Sequence, residues 1–483
     1  MQNSFIILII VVYFGILLSI SYFVSKKNSE NENETFFLAN RKSPWWLIAI
    51  GMIGTSISGV TFVSVPGMVR EVNFAYMQTV FGFFFGYLII AYVLLPLYYK
   101  LNLTTIYTYL EERFGKRSYK TGASFFLLSK IIGASARLYI VAIILQHVIF
   151  DSWNIPFYIT VCITIFLIWL YTRKSGIKTV IWTDTIQTLV LIGALVLILY
   201  EVYKNISLDF PNLISNLYHS PTTNIFVFDD WHNKQFFWKQ FLSGVFIPIV
   251  MTGLDQDMMQ KNLTCRTLKD AQKNMTWYGF AFVPINFLFL TLGAMLLTLA
   301  PIQNIPLPIE SDQILTVFAT QYLGNTVLVL FIVGMIAAAF SSADSAMTSI
   351  TTSFSVDILE VNKKTEKEAV KIRKQIHIFT ALIFIVIVIL FKEINNKSII
   401  DTIYTIVGYT YGPLLGMYAY GLFTKKNVND KLIPYISIAA PVLCYLLNVI
   451  SKKYWNYSFG YELLMINGGL TFLGMWISQH LKK

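Results

Sequence analysis

The sequence predicts an all-α membrane protein built from roughly thirteen bilayer-crossing helices. Three observations carry this. Of 483 residues, 55% are apolar and 13% charged, with a mean hydropathy of +0.60, which is more apolar side chain than one soluble core encloses. Apolar stretches long enough to cross a hydrocarbon layer about 30 Å thick recur along the whole chain. The basic residues gather in alternate connections, which is an orientation signal.

In chain order the apolar stretches are 4–24, 44–68, 72–99, 119–149, 154–172, 178–204, 235–257, 274–299, 324–357, 372–391, 398–423, 430–450 and 460–481. The first lacks a basic leading region and an A-x-A site before Lys26, so it reads as a retained span. With the chain start outside, roughly 27 of the 37 Lys and Arg fall in inside connections and the tail, and roughly 8 fall outside. The inside excess lies in 100–120 (Arg113, Lys116, Arg117), 173–178 (Arg173, Lys174, Lys178), 261–273 and 363–374, whereas 300–320 has no Lys or Arg. The expected placement is a bacterial inner membrane, with the N-terminus outside and the C-terminus cytoplasmic. The net charge of +11 is then a topology signal, and no nucleic-acid partner is expected. Cys162, Cys265 and Cys444 show no CxxC or metal spacing, so neither disulfide nor zinc is expected. The longest connection, 205–234, holds Asp229, Asp230 and Trp231 and has the length of a short lid. The run 362–374 mixes charges as a solvated linker does. No connection is long enough to fold alone, which makes 1–483 one transmembrane unit.

A lone ionisable residue inside an apolar span costs about 2.5 to 3.5 kcal/mol on insertion scales, so each needs a reason. The candidates are Lys130, Arg137, Asp184, Asp255 and Asp344. Asp255 and Asp257, in T-G-L-D-Q-D, sit where a capping or interfacial role suffices. Lys130 fits a packed ion pair, and Arg137, Asp184 and Asp344 lie deeper.

Three runs of small or polar residues interrupt the spans. In G-M-I-G-T-S-I-S-G-V-T, residues 51–61, three glycines and four hydroxyl residues replace the expected leucines. Such a run weakens a helix, and unwound backbone at membrane depth survives only where it is buried or lines a cavity. A small-residue packing face is the plainer alternative. In A-A-A-F-S-S-A-D-S-A-M-T-S, residues 337–349, Ser341, Ser345 and Thr348 share one helical face beside Asp344. Hydroxyls and carbonyls of this kind hold a hard monovalent cation loosely enough to release it, while serine alone could be helix–helix glue. In G-Y-T-Y-G-P-L-L-G-M-Y-A-Y-G, residues 408–421, Pro413 between Gly412 and Gly416 predicts a kink, either structural or a hinge.

With R-K-S-P-W-W at 41–46, W-T-D-T-I-Q at 182–187, G-L-D-Q-D-M-M-Q-K at 253–261, the serine run at 341–345 and Y-G-P-L-L-G at 411–416, the chain resembles the sodium/solute symporter family over nearly its whole length. The resemblance implies a LeuT-type fold. An extra first helix (4–24) would precede two inverted five-helix repeats (44–204 and 235–423), and two further helices (430–481) would follow. It implies a first sodium site from Gly54, Ile57, Ala338, Ser341 and Ser342, with Gly54 giving only its carbonyl. It also implies a second sodium site of the type found in sialic acid transporters, from Asp184, Ser341, Asp344 and Ser345. Asp344 stands where that pattern has a serine. The substrate residues of sialic acid transporters are resembled by Ser56, Ser58, Thr61, Phe74, Gln78 and Arg137.

A buried arginine can clamp a carboxylate through two parallel hydrogen bonds, although an ion-pair strut would also explain Arg137. The Glu-Gln pair of galactose-type members is replaced by Val60–Thr61, and the Gly-Gln-Pro of proline-type members is absent from 235–257. The resemblance therefore implies a monomeric, non-enzymatic importer that couples sodium to a small anionic solute, with sialic acid or another acidic sugar favoured. A monocarboxylate, a neutral sugar or a vitamin stays open as the solute. A uniporter or proton-coupled carrier on the same fold, and in a different class a solute-sensing receptor or an intramembrane enzyme, also stay open.

Overall fold

The computed structural model describes residues 2–481 except 27–31, 207, 395–398, 456, 458 and 461. The predicted span start at 398 and parts of the 205–234 connection and the 460–481 stretch lie outside the described residues. The rest of each predicted stretch is mostly helical, with breaks at its ends, at Ile57–Ser58 and at Leu254–Asp255. Fifteen principal helices form the bundle: α1 (Gln2–Lys26), α2 (Trp45–Ser56), α3 (Gly59–Val72), α4 (Tyr76–Ile89, carried on to Lys100), α5 (Lys116–Leu145), α6 (Phe157–Thr172), α7 (Ile177–Ile206), α8 (Phe237–Pro248), α9 (Gln256–Leu263), α10 (Leu268–Ile302), α11 (Gly324–Ser353), α12 (Glu366–Ile394), α13 (Ile399–Phe423), α14 (Ile433–Trp455) and α15 (Leu463–Ser478). Among the described residues, eight helical stretches are long and apolar enough to cross a bilayer alone. The α8–α9 pair, bent by 67°, adds a ninth, and α2, α6 and α15 are shorter apolar helices.

Burial sorts these helices. On α11 every residue from Gly334 to Ser353 is buried, as expected of a helix enclosed on all sides. By contrast α12 and α14 expose Val386, Leu443 and Leu446 by about half of their surface. In water such faces would mark interfaces or liabilities, and in lipid they are the solvated surface.

Two spans are interrupted, and the chemistry of each interruption is visible. Ile57 (φ −84°, ψ 86°) ends α2, and Ser58 caps α3 by accepting from the Thr61 amide. The bend between α8 and α9 follows Pro248 and a π-turn over Ile249–Gly253. The carbonyls freed there, of Gly253 and Leu254, accept from Tyr98 Oη at 2.8 Å and Tyr107 Oη at 2.9 Å, because unpaired backbone is too costly at this depth. The predicted span 235–257 therefore does not end at 257 but turns and continues to Leu263.

The helix assignment of α13 runs unbroken through Pro413. Proline leaves the carbonyl four residues earlier without its amide, and Asn467 of α15 supplies a donor to Tyr409 O at 2.9 Å. Gly412 and Gly416 give α15 its room, since a Cβ on Gly412 would stand 2.3 Å from Asn467 Cγ. The same holds where α2 crosses α7, where a Cβ on Gly54 would stand 2.1 Å from Thr188 Oγ1. Gly54→Ala is accordingly expected to destabilise the protein by roughly 1–3 kcal/mol through overpacking. A thermal melt of the detergent-purified variant checks this, and an unchanged midpoint would show that the two helices can separate freely.

Candidate functional site

A cavity of about 920 Å³ lies between α3, α4, α5 and the α8–α9 bend, near the upper end of the range for small-molecule sites. It reaches the surface at Glu71 and Ile309–Gln313 and ends on buried Thr55, Ser342, Asp255 and Asp257. Arg70 and Glu71, at the end of α3, hold the rim by hydrogen bonds to Pro308 O and Ser311 Oγ, at 2.5 and 2.6 Å.

The interruption between α2 and α3 brings Ser56, Ser58 and Thr61 to this cavity, and α5 brings Arg137 and Lys130 to its wall. Ser56 Oγ lies 2.5 Å from Tyr278 Oη, which in turn lies 2.9 Å from Tyr87 Oη. Lys130 is neutralised by Asp257 at 2.7 Å and Asp255 at 3.2 Å, the packed pair its position predicts. Asp255 also caps α9 and accepts from Tyr411 Oη at 2.5 Å. Among the described side chains no carboxylate pairs with Arg137. An unmatched guanidinium on a cavity wall is a receptor for an anion.

Phe74 and Gln78 do not line this cavity. Phe74 packs edge-on against Phe287. Gln78 is fully buried, donates to Ala75 O and Gln235 O at 3.1 and 2.9 Å, and accepts from the Val227 amide at 3.1 Å, so it anchors the connection before α8. The α4 residues that do line the cavity are Tyr76, Thr79, Phe83 and Tyr87. Left-handed Asn73 (φ 54°) starts the turn into α4 and sets the rotation of that helix.

Behind the cavity floor, α11 meets the end of α2. Ser342 Oγ lies 3.1 Å from Thr55 O and 3.2 Å from Ala338 O. The helical ladder of α2 ends with the Ile57 amide on Ile53 O. The Thr61 amide is taken by Ser58 Oγ, so the backbone of Ile57, just past the end of α2, is not committed to a helix. This set of neutral oxygens fits a monovalent cation.

The second predicted set is only partly assembled. Asp184 accepts from Ser341 Oγ at 2.6 Å and from Ser345 Oγ at 3.3 Å. Asp344 is held elsewhere, its Oδ2 accepting from Tyr171 Oη at 2.8 Å and Thr183 Oγ1 at 3.4 Å, while its Oδ1 has no hydrogen-bond partner among the described residues. In its place stands a residue the sequence reading put in a cytoplasmic connection. Lys261, 1% exposed, places Nζ 2.6 Å from Asp184 Oδ2 and against Thr55 Oγ1. The available signal was its setting, a single lysine followed by the uncharged N-L-T-C.

A helical membrane protein with an interrupted span beside a deep cavity that mixes apolar, hydroxyl and charged side chains fits the class of small-solute carriers. Comparison with known proteins is specific about which. The profile of the sodium:solute symporter family matches residues 36–431, and the chain belongs to that family. It is 25% identical over 451 residues to a sodium/sialic acid symporter of Aliivibrio fischeri, covering 89% of this chain and 85% of that one. It is 24% identical over 452 residues to one of Proteus mirabilis, covering 89% and 87%. A sodium-dependent multivitamin transporter of Oryctolagus cuniculus is 27% identical over 399 residues, covering 80% of this chain and 61% of the transporter. Among solved structures, a substrate-bound, outward-open Na+-coupled sialic acid symporter superposes with a TM-score of 0.83 at 21% identity, over 100% of this chain and 98% of that one.

Proposed function

We propose that this protein imports sialic acid into a bacterial cell together with sodium. The observation that carries the solute class is Arg137, a cation on the cavity wall with no carboxylate partner among the described side chains, facing a cavity that also holds the hydroxyls of Ser56, Ser58 and Thr61. An acidic sugar offers a carboxylate to the guanidinium and hydroxyls to the serine and threonine side chains. The two sialic acid symporters that resemble the chain over most of their own length support this choice. A vitamin carboxylate would use the same guanidinium, and the likeness to the multivitamin transporter favours it as the second reading.

The proposed first sodium site uses the carbonyls of Gly54, Ile57 and Ala338 with the hydroxyls of Ser341 and Ser342. The proposed architecture is the thirteen-span, LeuT-type layout in a monomer, with 1–483 as a single domain. It is supported by the position of the two interruptions, each in the first span of a proposed repeat. With the N-terminus outside and the C-terminus cytoplasmic, the cavity faces outward. Rocking of α2–α3, α4, α8–α9 and α10 against the other helices would expose it inward.

Uptake into proteoliposomes under an inward sodium gradient tests the reading with labelled sialic acid, biotin, pyruvate and galactose. Sialic acid should accumulate in sodium and not in potassium. Accumulation of galactose alone, or equal uptake in potassium, would overturn the reading, and biotin alone would select the second. Loss of one hydroxyl ligand to a charged group is worth about tenfold, so Ser342→Ala should raise the half-saturating sodium concentration by about that factor. An unchanged value would move the first site elsewhere.

A further inference from the structure

We propose that Lys261 is a tethered cation filling the second cation position of this carrier, so that one sodium ion accompanies each solute. This rests on the sodium-coupled reading above and adds its stoichiometry. Apart from Asp344, the oxygens that would hold a second sodium, the Asp184 carboxylate and the hydroxyls gathered around it, are in place. Ser341 and Ser345 donate to Asp184, and Thr55 Oγ1 lies 3.2 Å from the same carboxylate. The Lys261 ammonium already sits among them, 2.6 Å from Asp184 Oδ2 and bonded to Thr55.

An ammonium and a sodium ion carry the same charge and seek the same oxygens. Two cations crowded onto one carboxylate in a dry interior repel each other strongly, so the site holds one or the other. The lysine is delivered by the fold. The bend at Gly253–Asp255 swings α9 into the bundle, where every residue from Gln256 to Leu263 is buried. Asn262 is in turn held from Asn274 Nδ2 at 2.7 Å, so the segment that carries the amine is itself packed.

The test counts labelled sodium bound at saturation by the purified full-length chain, with no solute present, so an error in the identity of the solute does not affect it. The expected result is one sodium per wild-type chain with a Hill coefficient of one. Lys261→Met should raise the count to two and the Hill coefficient toward two, because the vacated oxygens take the ion. Two sodium ions on the wild-type chain would overturn the proposal, as would a folded Lys261→Met chain that still binds one. If Lys261→Met does not fold, the wild-type count decides, together with Ser342→Ala, which should keep that count at one while weakening the single binding event about tenfold. A wild-type count of zero would remove sodium coupling itself, and this inference with it.

Discussion

Arg137→Gln lowers sodium-driven sialic acid uptake at least a hundredfold, while sodium still stabilises the purified variant against heat. The expectation follows from what the side chain faces. A carboxylate entering the cavity gives up water, and only the guanidinium fork returns two parallel charge-assisted bonds. Leaving one partner of such a desolvated pair unmatched costs about 3 kcal/mol or more, which is about two decades in affinity. Arg137→Lys keeps the charge without the fork, so it should recover only part of the loss. Neutral analogues that lack the acid should bind wild type and Arg137→Gln about equally. If Arg137→Gln keeps uptake within threefold of wild type, Arg137 is a strut of the bundle and the solute is anchored elsewhere.

The second large effect is on stability. Asp184→Asn removes the negative charge from a pair whose side chains are 1% and 0% exposed, leaving the Lys261 ammonium buried without a counter-charge. Breaking a buried pair from one side costs about 3–5 kcal/mol, whereas replacing both partners is often close to neutral. Asp184→Asn should therefore melt well below wild type, and Asp184→Asn combined with Lys261→Met should regain most of the difference. That recovery is the signature of a direct interaction. If the two losses simply add, the groups act independently and the contact contributes nothing to the fold.

The parts of this architecture legible in the sequence are those written in local chemistry. The interruption after Ser56 was visible because glycine and hydroxyl residues replace leucines for three turns. That Ser341 and Ser345 share one face was visible from their i, i+4 spacing, whereas their grouping with Asp184 came from the family resemblance. Lys130 was legible as a pair for the same reason, as an isolated charge needing a partner. The position of Phe74 and Gln78 away from the cavity was not legible, because a helix face rotates by about 100° per residue and the chain enters α4 through positive-φ Asn73, which spacing alone does not reveal. Lys261 was misplaced because its depth depends on a 67° bend. Pro248 and Gly253 permit that bend, but they do not specify its direction. Asp344 was grouped with Asp184 because it stands where the family pattern has a serine of that site, whereas Tyr171, on a helix distant in sequence, holds it.

The buried lysine also bears on energy supply. A carrier moving one anion with two sodium ions transfers a net positive charge. At roughly 150 mV that adds about 3.4 kcal/mol to the 2.8 kcal/mol from two tenfold gradients, enough to concentrate the solute by about four decades. With an amine bound to Asp184 in place of the second ion, the transported charges cancel and the membrane potential does no work. A tenfold sodium gradient then sustains about a tenfold solute gradient. A cell relying on such a carrier would keep the solute flowing inward by consuming it promptly, and uptake would continue unchanged when the membrane is depolarised.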